Sequence, residues 1–245
     1  MSEVFPKAPI IEALIDIRTQ LPENVSLTDL EKLHDRIKKE YPDKRSLGLW
    51  GGLLELKGEA PPRAETHFQK RGYSFFGADG TQVVQFRLDG FTFSRLRPYT
   101  RWEAIVPEVR KLWEVYKTGV RPVKVSTVAV RYINAIEIPS KDFNIDDYFT
   151  STPKVPEGLP PILENFFMRI EIPFPEEEAK AVVIQTPANK QDPLKTAILL
   201  DISVFRQLTL APDDERMWEI LEKFRDIKNK LFLHSLTAKT LELFR

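Results

Sequence analysis

Arginine residues offer the most direct candidate for binding chemistry in this sequence. Arg95, Arg97 and Arg101 lead from a predicted strand into the start of a predicted helix, and Tyr99 and Trp102 lie among them. A planar guanidinium binds a carboxylate or a phosphate through two parallel hydrogen bonds, and a helix N-terminus adds free backbone N–H groups. The segment therefore predicts a site for an anion or a protein partner.

A fourth arginine, Arg131, lies in the middle of an otherwise apolar strand predicted over 123–138. A charge at such a position is costly unless it is paired, faces water or contacts a ligand. We expect a structural ion pair with a carboxylate of the first strand, such as Glu12 or Asp16. An interface role and a small anionic ligand are the alternatives.

Residues for other chemistries are missing or scattered. The chain has no cysteine, which excludes disulfides, thiolate catalysis and cysteine-ligated metals. His34, His67 and His234 lie far apart, and none has a second ligand at metal-binding spacing. The glycines at 48–52 lack the Lys-Ser/Thr pair of a phosphate-binding loop. We therefore predict no metal, no cofactor and no catalytic residue, and we favour a protein that is not an enzyme.

The overall charge is balanced, with 36 basic and 36 acidic residues, but it is unevenly distributed. Residues 63–131 carry 13 Lys and Arg against six Asp and Glu, and such a local excess attracts anionic partners. The N-terminus does not resemble a signal peptide, and no apolar run has the length of a membrane span. We expect a protein of the cytoplasm that does not bind membranes.

The periodicity of apolar residues predicts a mixture of strands and helices. An Asp79-Gly80 pair between alternating runs is a strong hairpin signal. The residues at 47–56 are ambiguous between a strand and a loop. Predicted strands cover 9–18, the three-stranded meander of 63–96, 123–138, 166–173, 179–186 and 196–210, and predicted helices cover 26–41, 102–116, 214–232 and a short C-terminal piece in 235–244.

Two parts of the chain repeat the same order of elements. Residues 81–116 and 195–232 each read as alternating strands, a turn and an amphipathic helix, and the two helices overlay after a shift of 115 residues. The repetition predicts an α+β fold with two related halves, each an antiparallel β-meander backed by an amphipathic helix. The predicted organisation is an N-terminal half at 1–139, a proline-rich crossover at 140–161 and a C-terminal half at 162–245.

Four short motifs occur in an order typical of one protein family. They are Ala8–Ala13, Phe93–Leu96 followed by Pro98, Tyr99 and Trp102, the Arg-Tyr-Ile-Asn motif at 131–134, and Lys228–Phe232. In these motifs the chain resembles a sporadically distributed, uncharacterised prokaryotic protein family of similar length. The resemblance implies a bacterial or archaeal protein from a patchily inherited gene pool that is rich in defence and toxin–antitoxin modules. It implies no catalytic residues.

The leading functional hypothesis is a non-enzymatic binding or adaptor protein, in the form of an accessory or antitoxin-like member of a defence module. One alternative is a chaperone-like module that binds extended peptides, which exposed Trp50, Tyr73, Phe75 and Phe76 would support, although we expect these aromatic residues in the core. A second alternative is a sensor or enzyme that binds a nucleotide or another phosphorylated ligand through the arginine cluster. We also expect a protein partner and a homodimer, because open sheet edges favour pairing, and we find no nucleic-acid-binding motif.

Overall fold

The structure is a computed structural model that describes residues 5–55, 63–139, 143–160, 165–188 and 196–245, with side chains described outside 50–55 and 63–67. The strands of these ranges are β1 Ile10–Gln20, β2 Asp43–Glu55, β3 Arg63–Phe76, β4 Gln82–Arg87, β5 Gly90–Leu96, β6 Lys124–Ile138, β7 Met168–Phe174, β8 Ala179–Pro187 and β9 Thr196–Leu210. The α-helices are α1 Leu27–Lys32, α2 His34–Ile37, α3 Trp102–Val120, α4 Arg216–Ser235 and α5 Ala238–Glu242.

All nine strands form one antiparallel sheet in the order β2-β3-β4-β5-β1-β6-β9-β8-β7. β1 lies at the centre, and its Ile15 is paired with Phe93 of β5 on one side and with Val130 of β6 on the other. The elements before and after the segment 140–161 therefore share a single sheet. The predicted α+β class is confirmed.

The sheet has two different faces because side chains alternate along each strand. In β1, Ala13, Ile15 and Ile17 are buried, whereas Leu14 and Asp16 between them are only half-buried. The buried face is the one that the helices cover, with α3 against β5 and α4 against β6 and β9. Residues on this face form the main hydrophobic core, and the opposite face carries more polar side chains.

The apolar stripe of α3 packs on an aromatic layer of this core. Trp113 lies 5.9 Å from Phe91, and Tyr116 lies 5.7 Å from Phe86, measured between ring centroids. The Tyr116 hydroxyl donates a hydrogen bond of 2.8 Å to the backbone oxygen of Arg87, so the buried polar atom has a partner. This packing fixes the position of α3, and hence of the residues at its N-terminus.

Helices α3 and α4 lie side by side and run in opposite directions. The indole Nε1 of Trp102 donates to Glu222 Oε1 at 2.6 Å, and Arg110 Nη1 lies 2.8 Å from Glu215 Oε2. Later residues of α3 thus pair with earlier residues of α4. Because Trp102 is the first residue of α3, the part of α4 after Glu222 extends past the start of α3. This offset leaves room above the sheet, next to Tyr132.

Most predicted elements are present, with three differences. The single helix expected at 26–41 is two short helices. Residues 47–55 of the ambiguous stretch at 47–56 belong to strand β2, and residue 56 lies outside the described residues. Helix α3 begins at Trp102, as expected, but continues to Val120 instead of ending at 116. The Asp79-Gly80 hairpin between β3 and β4 is confirmed.

The turn from β4 to β5 requires a glycine. Gly90 has a φ of +149°, and a Cβ atom there would lie 2.3 Å from the backbone oxygen of Ile17. A side chain would therefore collide with the neighbouring strand β1.

None of the helices in the described ranges combines the length and the apolar composition that a membrane crossing requires.

Candidate functional site

A cleft of about 550 Å³ opens above the sheet where α4 extends past α3. One wall is the start of α3 with the residues before it, and a second wall is the later part of α4. The N-terminal segment before β1 closes a third side. Its lining comprises Phe5, Ala8, Pro9, Ile10, Tyr99, Thr100, Arg101, Trp102, Glu103, Asn134, Arg225, Lys228, Asn229, Phe232 and Leu233.

Lys228 is the most unusual residue of this cleft. The residue is only 8% exposed, and its Nζ lies 3.8 Å from the centroid of the Tyr132 ring. Within the described part of the chain, its ammonium group has neither a hydrogen bond nor a carboxylate partner. Burial, together with a smaller repulsion from Arg225, lowers the pKa of Lys228 to about 7 against an opposing attraction from Asp226.

The carboxylates near Lys228 are occupied by Arg225. The guanidinium of Arg225 lies 3.4 Å from Glu103, 3.1 Å from Glu222 and 3.0 Å from Asp226. Arg225 therefore draws together the acidic side chains of two helices and leaves Lys228 without one. A buried cation without a partner is costly, which makes Lys228 a candidate for contact with a ligand.

Other hydrogen-bond donors converge on the same cleft. The exposed guanidinium of Arg101 has no ion-pair partner among the described residues, and the side-chain amide of Asn229 has no hydrogen bond there either. Arg101 is the residue before α3, where the first N–H groups of the helix have no acceptor within the helix. The Asn134 amide nitrogen already donates to the backbone oxygen of Leu200 at 2.9 Å, so it adds no free donor. Arg101, Asn229 and the start of α3 together favour an anion.

Two tyrosines shape the polar edge of the site. The hydroxyls of Tyr99 and Tyr132 lie 3.1 Å apart, and the rings meet edge to face at 5.7 Å between centroids. Burial raises the pKa of both residues, so both hydroxyls are neutral at physiological pH. The Tyr132 ring thus presents a neutral aromatic face to the Lys228 ammonium.

The structure separates the six residues that the sequence predicted as a site. Tyr99, Arg101 and Trp102 line the cleft. Arg97 lines a neighbouring hollow of about 500 Å³ that shares the N-terminal segment as a wall. Arg95 lies on the helix-covered face of the sheet, 3.7 Å from Asp79, and contributes nothing to the cleft lining.

Arg131 lies on the opposite face of the sheet from the cleft. Its Nε donates to Asp201 Oδ1 at 2.8 Å, and its Nη2 donates to Asp201 Oδ2 at 2.5 Å. The expected structural ion pair is confirmed, but the expected partners Glu12 and Asp16 are wrong. Asp201 comes from β9, the other neighbour of β6 in the sheet. Arg131 is also exposed, because no described helix covers this face.

We predict that Arg131→Met lowers the free energy of unfolding by about 1–2 kcal/mol, because it strands the buried Asp201 carboxylate. The double variant Arg131→Met/Asp201→Asn should lose less than the single variant, since no charge is then left unpaired. Urea unfolding followed by circular dichroism measures both. A double variant that is less stable than the single variant would contradict this account of the pair.

The sequence contained a signal for Lys228 that our site prediction missed. Lys228 lies four residues after Phe224 and seven after Leu221, and both of these are buried in α4. A lysine on the apolar stripe of an amphipathic helix must lie in the core or face a cavity. Lys228, Asn229 and Asn134 belong to the motifs of the family resemblance, but the sequence alone did not place them together.

The described residues contain no group of three or more His, Asp or Glu side chains placed to hold a metal ion. No protein-family model matches the chain. A comparison with curated proteins finds no match either. The function must therefore be argued from the cleft itself.

Proposed function

We propose that this chain is a binding protein whose cleft takes a small organic anion. The observation that carries the proposal is Lys228, a buried ammonium group that lines the cleft without a carboxylate partner. An anion in the cleft would supply the missing negative charge. The proposal joins two hypotheses from the sequence, the non-enzymatic binding protein and the sensor of an anionic ligand.

The balance of donors and acceptors supports an anion rather than a cation. Lys228 and Arg101 offer unpaired positive charge, and the first turn of α3 offers backbone N–H groups. The acidic Glu103 at the cleft is engaged by Arg225. A bound cation would have to displace Arg225, whereas a bound anion needs no existing contact to break.

The size and the apolar lining support an organic ligand rather than a bare inorganic ion. A volume of about 550 Å³ is typical of sites for small molecules. Phe5, Ile10, Trp102 and Phe232 give the cleft apolar walls. The ligand we expect has a carboxylate or a phosphate at one end and an apolar or planar body.

The burial of aromatic residues bears on the peptide-binding alternative. Tyr73 and Phe75 are buried, and Phe76 is half-buried, so they offer little exposed aromatic surface for a peptide. The side chain of Trp50 lies outside the described residues. A protein partner, a homodimer and membership of a defence module stay predictions from the sequence, with the bound anion as the signal that such a partner would read.

We also infer that the fold consists of two related halves, each an antiparallel meander backed by a helix. The strand order supports this duplication, since β3-β4-β5-β1 on one side mirrors β7-β8-β9-β6 on the other. The central pair Ile15 and Val130 differ in number by 115, the shift that overlays α3 and α4. In this arrangement the second half begins at β6, before the predicted boundary at 140.

A thermal-shift experiment with matched ligands tests the proposed function. We expect benzoate and AMP to raise the melting temperature in a concentration-dependent way, because a ligand that binds only the folded state stabilises it. Benzyl alcohol, which has the ring of benzoate without its charge, should have little effect. The benzoate and AMP results separate a carboxylate ligand from a phosphate ligand, and inorganic phosphate tests whether the charge alone suffices.

Two variants give the experiment its controls. Arg101→Met should weaken the stabilisation by the anions, since it removes an unpaired charge at the cleft. Lys230→Met, an exposed neighbour on the same helix, should behave as the wild type. Equal shifts with benzoate and benzyl alcohol, or no shift with any anion, would contradict the proposal.

A further inference from the structure

We propose that Lys228 is an amine nucleophile that forms an imine with a small oxo acid, a molecule that carries an aldehyde or ketone next to a carboxylate. This inference rests on the proposed function, because the carboxylate of the oxo acid is the anion that the cleft binds. Beyond anion binding, the inference adds a reversible covalent bond between this ligand and Lys228 Nζ. The proposal starts from the position of Nζ, which lines the cleft and has no hydrogen-bond acceptor among the described residues.

The surroundings of Lys228 raise the fraction of the side chain that is a neutral amine. Two charged groups act on Nζ: Arg225, one helical turn earlier on α4, repels its proton, and Asp226 attracts it weakly. The neutral Tyr132 ring lies beneath it. Arg101, just before α3, and Glu103 of α3 line the cleft, and Glu103 pairs with Arg225. A lysine buried among apolar groups beside another cation is an established way to activate this side chain as a nucleophile. With its pKa lowered to about 7, about half of Lys228 is neutral at pH 7, compared with fewer than roughly one in a thousand of ordinary lysines.

The proposed step needs no other reactant. The Nζ lone pair attacks the carbonyl carbon and forms a C–N bond, and a proton passes from the nitrogen to the carbonyl oxygen to give a carbinolamine. Loss of water then leaves the imine, so that amine and carbonyl compound give imine and water. The protonated imine is a cation in the place of the ammonium group, above the Tyr132 ring, where it keeps a favourable cation–π contact.

The other groups of the cleft explain why we expect an oxo acid rather than a simple aldehyde. Arg101 and the N-terminus of α3 offer donors to the carboxylate, while Lys228 takes the carbonyl group. A simple aldehyde without a carboxylate lacks the first of these contacts. The site should therefore prefer glyoxylate, the smallest oxo acid with an aldehyde, over acetaldehyde.

Reductive trapping tests the inference. The full chain is incubated with glyoxylate or acetaldehyde and sodium cyanoborohydride, which reduces an imine to a stable amine, and the adducts are located by peptide mass mapping. We expect the glyoxylate adduct to form fastest at Lys228, with a rate that rises with pH through about 7 as the amine loses its proton. Lys228→Met should remove this fast adduct, and Lys230→Met should retain it.

The variant Arg101→Met tests whether the preference for glyoxylate over acetaldehyde depends on the Arg101 guanidinium. This variant should keep the reaction with acetaldehyde and lose most of the advantage of glyoxylate. Benzoate, which binds as an anion but has no carbonyl group, should slow trapping by glyoxylate. Adducts spread evenly over the exposed lysines would contradict the proposed imine at Lys228. The proposed anion binding would still hold in that case if benzoate raises the melting temperature. A fast Lys228 adduct that benzoate does not slow would instead contradict the proposed anion site and the role of the carboxylate.

Discussion

Replacing Lys228 with methionine is expected to raise the free energy of unfolding by about 3 kcal/mol at pH 7, because the folded protein holds this lysine at a pKa near 7 rather than at its ordinary value of 10.5. Methionine fills a similar space without a charge to desolvate. The gain is reduced by the lost contact with the Tyr132 ring. Few substitutions of a buried residue stabilise a protein by this amount.

The dependence of this gain on pH identifies its cause. Between the folded pKa and the unfolded pKa, the unfolded chain binds the proton and the folded chain does not, so the stability of the wild type rises with pH. The wild type should gain about 2 kcal/mol relative to Lys228→Met between pH 7 and about pH 9. Below pH 6 both forms carry the proton, and the difference should be constant. Urea unfolding of both proteins at several pH values measures the difference.

The matched control is Lys230→Met, which removes an exposed lysine from the same turn of α4. Its free energy of unfolding should stay parallel to that of the wild type over this pH range. If Lys228→Met destabilised the protein, or if its difference from the wild type did not change above pH 7, the lysine would have a partner that this account lacks.

The second large effect is expected for Asp16→Asn, on the face of the sheet opposite the cleft. Asp16 Oδ1 lies 2.7 Å from Nη2 of the buried Arg87 and accepts a hydrogen bond of 2.6 Å from Thr92. Removing the charge should lower the free energy of unfolding by about 2–3 kcal/mol, because Arg87 loses its best-buried partner. Asp89 retains its contact with Arg87 but is more exposed.

The stabilisation by the Asp16 carboxylate should depend on pH and be lost in acid. Although burial alone would raise the pKa of Asp16, the attraction of Arg87 and the Thr92 hydrogen bond outweigh it and lower the pKa. The stabilisation by a carboxylate with a lowered pKa is present above the unfolded value and is lost as pH falls through the folded value. The wild type should therefore lose its advantage over Asp16→Asn below about pH 4.

Asp35→Asn is the control for the removal of an exposed carboxylate, since its side chain is 75% exposed. It should change stability little. Both variants should keep their response to benzoate, because neither residue lines the cleft. A loss of benzoate binding in Asp16→Asn without a loss of stability would contradict the separation of the two faces.

Local patterns in the sequence predicted the elements well but could not place them in the sheet. The alternation in β1 and the Asp79-Gly80 turn are set by neighbouring residues, and both are as expected. The order of the strands depends on contacts between distant segments. The predicted partner of Arg131 was therefore wrong, because the actual partner Asp201 lies on a strand 70 residues away.

The candidate site could be predicted only in part for the same reason. Tyr99, Arg101 and Trp102 are close in sequence and do line one cleft. Arg95 precedes them on β5, where the alternation turns its side chain to the helix-covered face at a distance from the cleft. Lys228 reaches the cleft only because α4 runs past the start of α3, an offset that follows from packing between the two helices.

Isothermal titration calorimetry with benzoate at about pH 6 and about pH 8 tests the central claim most directly, because these values bracket the pKa of Lys228. An anion binds better to the protonated lysine, so the wild type should bind benzoate several-fold more tightly at the lower pH. Lys228→Met should bind it weakly and equally at both values, and Lys230→Met should follow the wild type. Binding by Lys228→Met that equals the wild type at the lower pH would contradict the claim that Lys228 holds the anion in this cleft.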